Sequence, residues 1–151
     1  MPRPLQAARF YAILDTAYVP PDRWESVCRQ LIDGGADLIQ LRAKQASPEQ
    51  RAALLERMRP VIAAAGAGAP HLIVNDDVDL AARTPDAGLH IGQDDTPPAE
   101  ARRRLGPDRL IGLSTHSLDQ ARAAMALPPG TIDYFCVGPV FSTQTKPDYT
   151  P

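Results

Sequence analysis

The stretch LIQLRAK at residues 38–44 joins a short apolar run to a polar end, and this combination decides the fold. Similar apolar runs recur at residues 10–14, 72–74, 88–91, 110–113 and 133–137. Mostly continuous apolar runs of this length are typical of strands that are buried on both faces of a parallel sheet. The sequence therefore predicts six parallel strands.

Helical patterns lie between successive apolar runs. In the first, residues 24, 27, 28, 31 and 32 are apolar, which is the spacing of one face of a helix. A second helix is predicted to begin at Ser47, which forms a capping-box pattern with Gln50, and Pro60 is expected to kink it or cut it short. Later helices are predicted to begin near Pro97 and Ser117.

Strand and helix alternate with a repeat of about 24 residues, which favours a (β/α)₈ (TIM) barrel of the phosphate-binding type. Such a barrel needs eight units, so the chain of 151 residues is expected to hold about six of them. We therefore expect a single barrel domain over residues 1–151 that is C-terminally incomplete. The alternative is an open doubly wound sheet, although no G-x-G-x-x-G pattern follows the first strand.

Composition narrows the functional classes. Lys plus Arg total 16 against 18 for Asp plus Glu, and the net charge of −2 gives no indication of a broad basic surface for nucleic acid. No apolar run is long enough for a signal peptide or a membrane span, so we expect a cytoplasmic protein without a membrane partner. Cys28 and Cys136 lack the spacing of a metal or redox motif and are expected to be buried thiols.

The polar end of the second strand is the first candidate site. Ligands of parallel α/β folds bind at the carboxyl ends of the strands. The period of two along a strand directs Gln40, Arg42 and Lys44 to one side, where an amide and two cations suit an anionic, oxygen-rich ligand. A solvated strand end remains the alternative.

Carboxylates follow the next two strands, at Asp76, Asp77 and Asp95. Mg²⁺ favours one or two protein carboxylates together with substrate phosphates and water, so these residues predict a magnesium site. The alternative is that Asp77 or Asp95 only caps a helix. His90, inside the fourth strand, is expected to be a packed core histidine.

The ends of the fifth and sixth strands carry hydroxyl groups. Ser114 and His116 suggest a Ser/His hydrolase, but a nucleophile elbow needs glycine at position 116. Ser114 is better interpreted as a hydroxyl that binds a ligand. After the sixth strand, hydroxyl residues and Lys146 follow a Gly-Pro turn and again favour a phosphate-rich ligand.

These segments together resemble the thiamine-phosphate synthase family. The motifs are Q-L-R-x-K at residues 40–44, N-D-D at 75–77, H-I-G-Q-x-D at 90–95, G-L-S-T-H at 112–116 and G-P-V-F-x-T-x-T-K at 138–146. They occur in the family's order and extend from about Tyr11 to Lys146. The resemblance implies a transferase that joins an aminopyrimidine diphosphate to a thiazole phosphate, releases pyrophosphate and forms thiamine phosphate.

The resemblance also implies roles for individual residues, and no protein nucleophile is required. Asp76 and Asp95 are the implied ligands of Mg²⁺. The implied substrate-binding residues are Gln40, Arg42, Lys44, Asn75, Ser114, Thr143, Thr145 and Lys146, and of these Arg42, Lys44, Ser114 and Lys146 are the implied catalytic residues. The alternatives are a thiazole tautomerase of the same family, for which the resemblance implies a functional histidine at the position of His116, and an inactive, truncated phosphate-binding barrel. The substrates are the expected partners, and homo-oligomerisation stays open.

Overall fold

Strands and helices alternate along residues 4–141, the part of the chain that the computed structural model describes. The strands are β1 (Tyr11–Asp15), β2 (Leu38–Arg42), β3 (His71–Asn75), β4 (Ala87–Ile91), β5 (Ile111–Thr115) and β6 (Tyr134–Val137). The helices are α1 (Trp24–Asp33), α2 (Pro48–Ala63), α3 (Val78–Arg83), α4 (Pro98–Leu105) and α5 (Leu118–Met125). Within residues 4–141, none of the helices combines the length and apolar character needed to cross a membrane.

The six strands form one parallel sheet in the order β1-β2-β3-β4-β5-β6. Each strand therefore lies beside the strand that follows it in the chain. A doubly wound sheet reverses its strand order part of the way through, so that alternative is wrong. Sequential parallel strands linked by helices are the arrangement of a (β/α) barrel, which confirms the predicted fold class.

The sheet curls strongly enough for its first and last strands to touch across the concave side. The hydroxyl oxygens of Tyr11 on β1 and Tyr134 on β6 are 3.0 Å apart, although four strands separate them in the sheet. The convex side carries the helices and the apolar core. That core includes Leu14, Trp24, Ile39, Leu55, Met58, Val74, Leu89 and Ile111, each at most 1% exposed.

Alternate residues of each strand face the two sides of the curl. On β2, Ile39 and Leu41 belong to the core, whereas Gln40 contacts Tyr11 on the concave side. The concave side thus carries polar side chains such as Gln40 and His90 together with apolar ones such as Ile73.

Helix α2 shows how packing overrides a local signal. The predicted capping box is confirmed, because the side chain of Ser47 accepts from the backbone of Gln50 and the backbone of Ser47 donates to the Gln50 side chain. The expectation that Pro60 cuts the helix short is wrong, since α2 continues to Ala63. Met58 and Ile62, on either side of the proline, are buried, and their burial offsets the lost backbone hydrogen bond.

The two cysteines lie in different environments. Cys28 is buried as predicted, and burial raises the pKa of its thiol to about 11. The prediction is wrong for Cys136, which is exposed. Its sulfur lies 3.8 Å from His90 Nε2, so it faces the concave side of β6, where no described helix covers it.

Arg109 provides the first testable prediction, which concerns stability. Its guanidinium donates to the carbonyl oxygens of Ala81 at 2.6 Å, Ala87 at 2.7 Å and Thr84, and so ties the end of α3 to β4. Arg109→Met removes these three hydrogen bonds, although Ala81 O and Thr84 O keep backbone donors, and we expect the free energy of unfolding in urea to fall by about 1–2 kcal/mol. Arg103→Met, which removes an exposed arginine, is the control; equal losses in both variants would contradict this role of Arg109.

Candidate active site

The predicted site residues within residues 4–141 lie at or just after the carboxyl ends of adjacent strands. Gln40 and Arg42 are on β2, Asn75 ends β3, Asp76 follows it, and Ser114 is on β5. Because neighbouring parallel strands end at the same edge of a sheet, all of these residues occupy one end of the curl.

Two carboxylates meet at this edge. Asp76, in the turn after β3, and Asp95, in the loop after β4, are close enough for Asp95 to raise the pKa of Asp76. Asp95 also accepts from the backbone N–H of Gly92 at 2.7 Å, which fixes one of its oxygens. No group of three or more metal-binding His, Cys, Asp or Glu side chains occurs in the described part of the chain, so this site rests on a pair.

The backbone of Asp76 has an unusual conformation, with φ at 61°. Asp and Asn tolerate this left-handed region better than most residues with a β-carbon. The turn is held by hydrogen bonds from Asp76 N to His90 O at 2.9 Å and from Val78 N to Asp76 O at 3.0 Å. The backbone of Asp76 thus adopts a sparsely populated conformation in the turn that places its carboxylate near Asp95.

Burial and the neighbouring carboxylate change the acidity of Asp76. Burial, and then the neighbouring Asp95, raise the pKa of Asp76 to about 6, against the lowering influence of Lys44 and Asn75. Two adjacent carboxylates repel each other, and either a shared proton or a cation relieves the repulsion. This donor pair therefore fits a divalent cation that takes its remaining ligands from substrate oxygens and water.

Lys44 brings a positive charge to the same place. Its Nζ lies 3.6 Å from Asp76 Oδ2, and its side chain is 52% exposed. Lys44, Asn75 and Asp76 also line an open cleft of about 580 Å³. A half-exposed ammonium group beside the carboxylate pair is suited to an anionic ligand that reaches the site from solvent.

Arg42 is more tightly held than Lys44. Its guanidinium forms an ion pair with Asp15, which is its register partner on β1, and the two side chains are only 15% and 8% exposed. Asp15 also accepts from the backbone N–H of Ala17 at 2.9 Å. The guanidinium of Arg42 is thus held in position through Nη1.

A polar layer lies on the concave side below the charged residues. Gln40 Nε2 donates to the hydroxyl of Tyr11 at 2.6 Å, and that hydroxyl contacts Tyr134. Tyr134 lies 3.2 Å from His90 Nδ1, and Ser114 Oγ lies 2.9 Å from His90 Nε2. The prediction that His90 is buried is confirmed, but it belongs to this polar layer and not to the apolar core.

Gly112, in the G-L-S-T-H motif, makes room for the polar layer. A β-carbon at this position would lie 2.2 Å from Cζ of Tyr134 and 2.5 Å from Nδ1 of His90. Both distances are far below van der Waals contact, and both atoms belong to rigid rings. The glycine is therefore required by the close approach of two aromatic side chains.

The predicted alternatives for two aspartates have different outcomes. Asp77 does cap a helix, because its Oδ1 accepts from Leu80 N at 2.9 Å at the start of α3, and its Oδ2 pairs with Arg51. For Asp95 the helix-cap alternative is wrong, since α4 begins after Pro97 without a side-chain cap. Asp95 is therefore the carboxylate that remains available beside Asp76.

His116 lies at the edge of the arrangement, with Nδ1 2.6 Å from the carbonyl oxygen of Gly138. Thr143, Thr145 and Lys146 fall outside the described residues. Tyr11, Asp15 and Tyr134 were not predicted as site residues. The available signal was a hydroxyl or carboxyl group within a predicted strand, as at Tyr11 and Asp15, which share one face of β1.

Within the described residues, six sequential parallel strands and the five helices between them define a (β/α) barrel fold, and the candidate site lies at the carboxyl ends of the strands. Residues 10–151 match the family described as thiamine monophosphate synthase. The chain belongs to the thiamine monophosphate synthase family.

Individual relatives agree with this assignment. The chain is 40% identical over 140 residues to thiamine-phosphate synthase of Halalkalibacterium halodurans, and 43% identical over 141 residues to that of Shouchella clausii; each match covers 93% of the chain. It spans 64% of the length of both relatives. Thiamine phosphate pyrophosphorylase from Pyrococcus furiosus has a similar structure, with a TM-score of 0.74 and 28% identity, over 89% of this chain and 61% of that one.

Proposed function

We propose that the protein is a thiamine-phosphate synthase, a transferase of thiamine biosynthesis. In the reaction, the bond between the pyrimidine methylene carbon and the diphosphate oxygen breaks, and the thiazole nitrogen bonds to that carbon. Pyrophosphate leaves with the bonding electrons, so atoms and charge balance without a protein nucleophile. The two substrates, an aminopyrimidine diphosphate and a thiazole phosphate, are the proposed partners.

The observation that carries the proposal is the meeting of Lys44, Asp76 and Asp95. These residues come from three separate loops, yet Lys44 Nζ is 3.6 Å from Asp76 Oδ2, and Asp95 is near enough to raise the pKa of Asp76. A cation beside a carboxylate pair is the arrangement that a metal-bound diphosphate requires.

Within the proposal, Asp76 and Asp95 hold Mg²⁺. The donor pair fits this ion, since burial and then the neighbouring Asp95 raise the pKa of Asp76, and a bound cation would offset the repulsion between the two carboxylates. When bound, Mg²⁺ supplies positive charge to the oxygens of a leaving diphosphate.

The chain's own residues are proposed to bind and orient the diphosphate. Arg42, anchored by Asp15, and Lys44 stabilise the negative charge that builds up on the leaving group. Lys146 and Ser114 face the same diphosphate, as the family resemblance implies. Gln40 is oriented by its hydrogen bond to Tyr11 and presents its amide oxygen to the substrate.

A synthase assay tests the proposal. We expect the protein to convert the two substrates to thiamine phosphate, with one pyrophosphate released per product, only when Mg²⁺ is present, and to stop when EDTA is added. Chromatography of thiamine phosphate and a coupled pyrophosphate assay measure the two products. Isomerisation of the thiazole precursor without pyrophosphate release would instead identify the tautomerase. Tight binding of pyrophosphate without either reaction would identify an inactive barrel.

Location belongs to the same proposal. We place the enzyme in the cytoplasm, and its assembly into homo-oligomers is a separate question for sedimentation analysis. Cell fractionation followed by immunodetection tests the location.

A further inference from the structure

Arg51 links the two loops that carry the oppositely charged residues of the site. It lies in the first turn and a half of α2 and donates from Nη1 to the carbonyl oxygen of Ala46 at 2.7 Å, two residues after Lys44. Its Nε donates to Asp77 Oδ2 at 2.9 Å, directly after Asp76. One side chain thus fastens the loop of Lys44 to the turn of Asp76.

Both ends of this link are fixed. The side chains of Arg51 and Asp77 are 25% and 14% exposed, so the ion pair is partly shielded from solvent. The second oxygen of Asp77 caps α3 through Leu80 N, which prevents the carboxylate from rotating away. Arg51 also lines the cleft beside Lys44 and Asp76.

The turn at Asp76 needs such support. Aspartate tolerates a φ of 61° better than most residues with a β-carbon, but the conformation is still sparsely populated, so contacts around the turn help to hold it. Asp77 is the next residue, and its ion pair with Arg51 restrains the turn from the side of α2. Without this ion pair, the turn loses one of the restraints that keep the Asp76 carboxylate at its distance from Lys44.

We propose that Arg51 is a positioning residue that sets the spacing between Lys44 and the Asp76–Asp95 pair. It acts through Asp77 and Ala46 and does not itself touch the diphosphate. The inference rests on the proposed function, because the spacing between Lys44 and the carboxylate pair matters only if the site binds a metal and a diphosphate.

Binding of Mn²⁺ in the presence of inorganic pyrophosphate, measured by electron paramagnetic resonance, tests the proposal without requiring turnover. Arg51→Met keeps the aliphatic stem, and Asp77→Asn keeps the oxygen that caps α3 while removing the ion pair. We expect each variant to bind Mn²⁺ about tenfold more weakly than the parent. The double variant should bind no more weakly than either single variant, because both changes break one link. Arg51→Lys should recover part of the affinity.

Arg59→Met is the matched control. It removes another arginine of the same helix, paired with Asp86 away from the site, and should leave Mn²⁺ binding unchanged. Unchanged Mn²⁺ binding in Arg51→Met and Asp77→Asn would overturn the positioning role, even if both variants unfolded at lower urea concentrations. A parent that binds no Mn²⁺ would also overturn it. A parent that binds Mn²⁺ and pyrophosphate but makes no thiamine phosphate would instead contradict the proposed function alone.

Discussion

Asp76→Asn is expected to lower kcat/KM for thiamine phosphate formation by about 100- to 1000-fold. Asparagine tolerates the left-handed backbone at this position as well as aspartate does, so the turn should keep its shape. The substitution removes one of the two negative charges that would hold Mg²⁺ beside the diphosphate. Steady-state kinetics at saturating and limiting Mg²⁺ measure the loss.

The same substitution should not lower the stability of the ligand-free protein at neutral pH. The pKa of Asp76 is about 6 in the folded protein against an ordinary 3.8, so the folded state holds its proton more tightly than the unfolded state. Between these two pH values stability falls as pH rises, and above pH 6 the ionised group is unfavourable. Urea unfolding at pH 7.5 should therefore show a free energy equal to or above that of the parent.

Asp94→Asn is the control, since Asp94 is exposed and lies next to Asp95 in the same loop. It should retain parental activity. Full activity in Asp76→Asn, or an equal loss in Asp94→Asn, would contradict the metal assignment.

Much of the fold could be predicted because its signals are local. Each apolar run became a strand within one or two residues of its predicted bounds, and the capping box at Ser47 became the start of α2. Placing polar residues at the strand ends followed from the rule that parallel strands end together. The part of the site that depends on this rule alone, the proximity of Lys44 to Asp76, was therefore predictable.

Other features depend on the register and the curl, which a single strand does not encode. The pairing of Asp15 with Arg42 requires the register of β1 and β2. The contact between Tyr11 and Tyr134 requires the curl of the whole sheet. The exposure of Cys136 depends on which side of the curl lacks helices. The candidate ligand-binding residues were thus easier to predict than the residues that hold them in position.

Arg42→Met is expected to have two separable effects. It should lower kcat/KM by about 100-fold, because the leaving diphosphate loses a preorganised cation. It should also lower the free energy of unfolding by about 3 kcal/mol, because Asp15 becomes a buried charge without its partner. Kinetics and urea unfolding on the same preparation measure both effects.

The double variant Arg42→Met/Asp15→Asn separates them. Asparagine keeps an oxygen for the backbone N–H of Ala17 and removes the unpaired charge, so most of the lost stability should return. Activity should stay low, since the cation is still missing. If activity instead returned together with stability, Arg42 would serve the fold only, and Lys44 with Lys146 would have to carry the positive charge of the site. Arg42 is expected to affect both stability and activity. Because Asp15→Asn should restore stability without restoring the cation, the double variant separates the two effects.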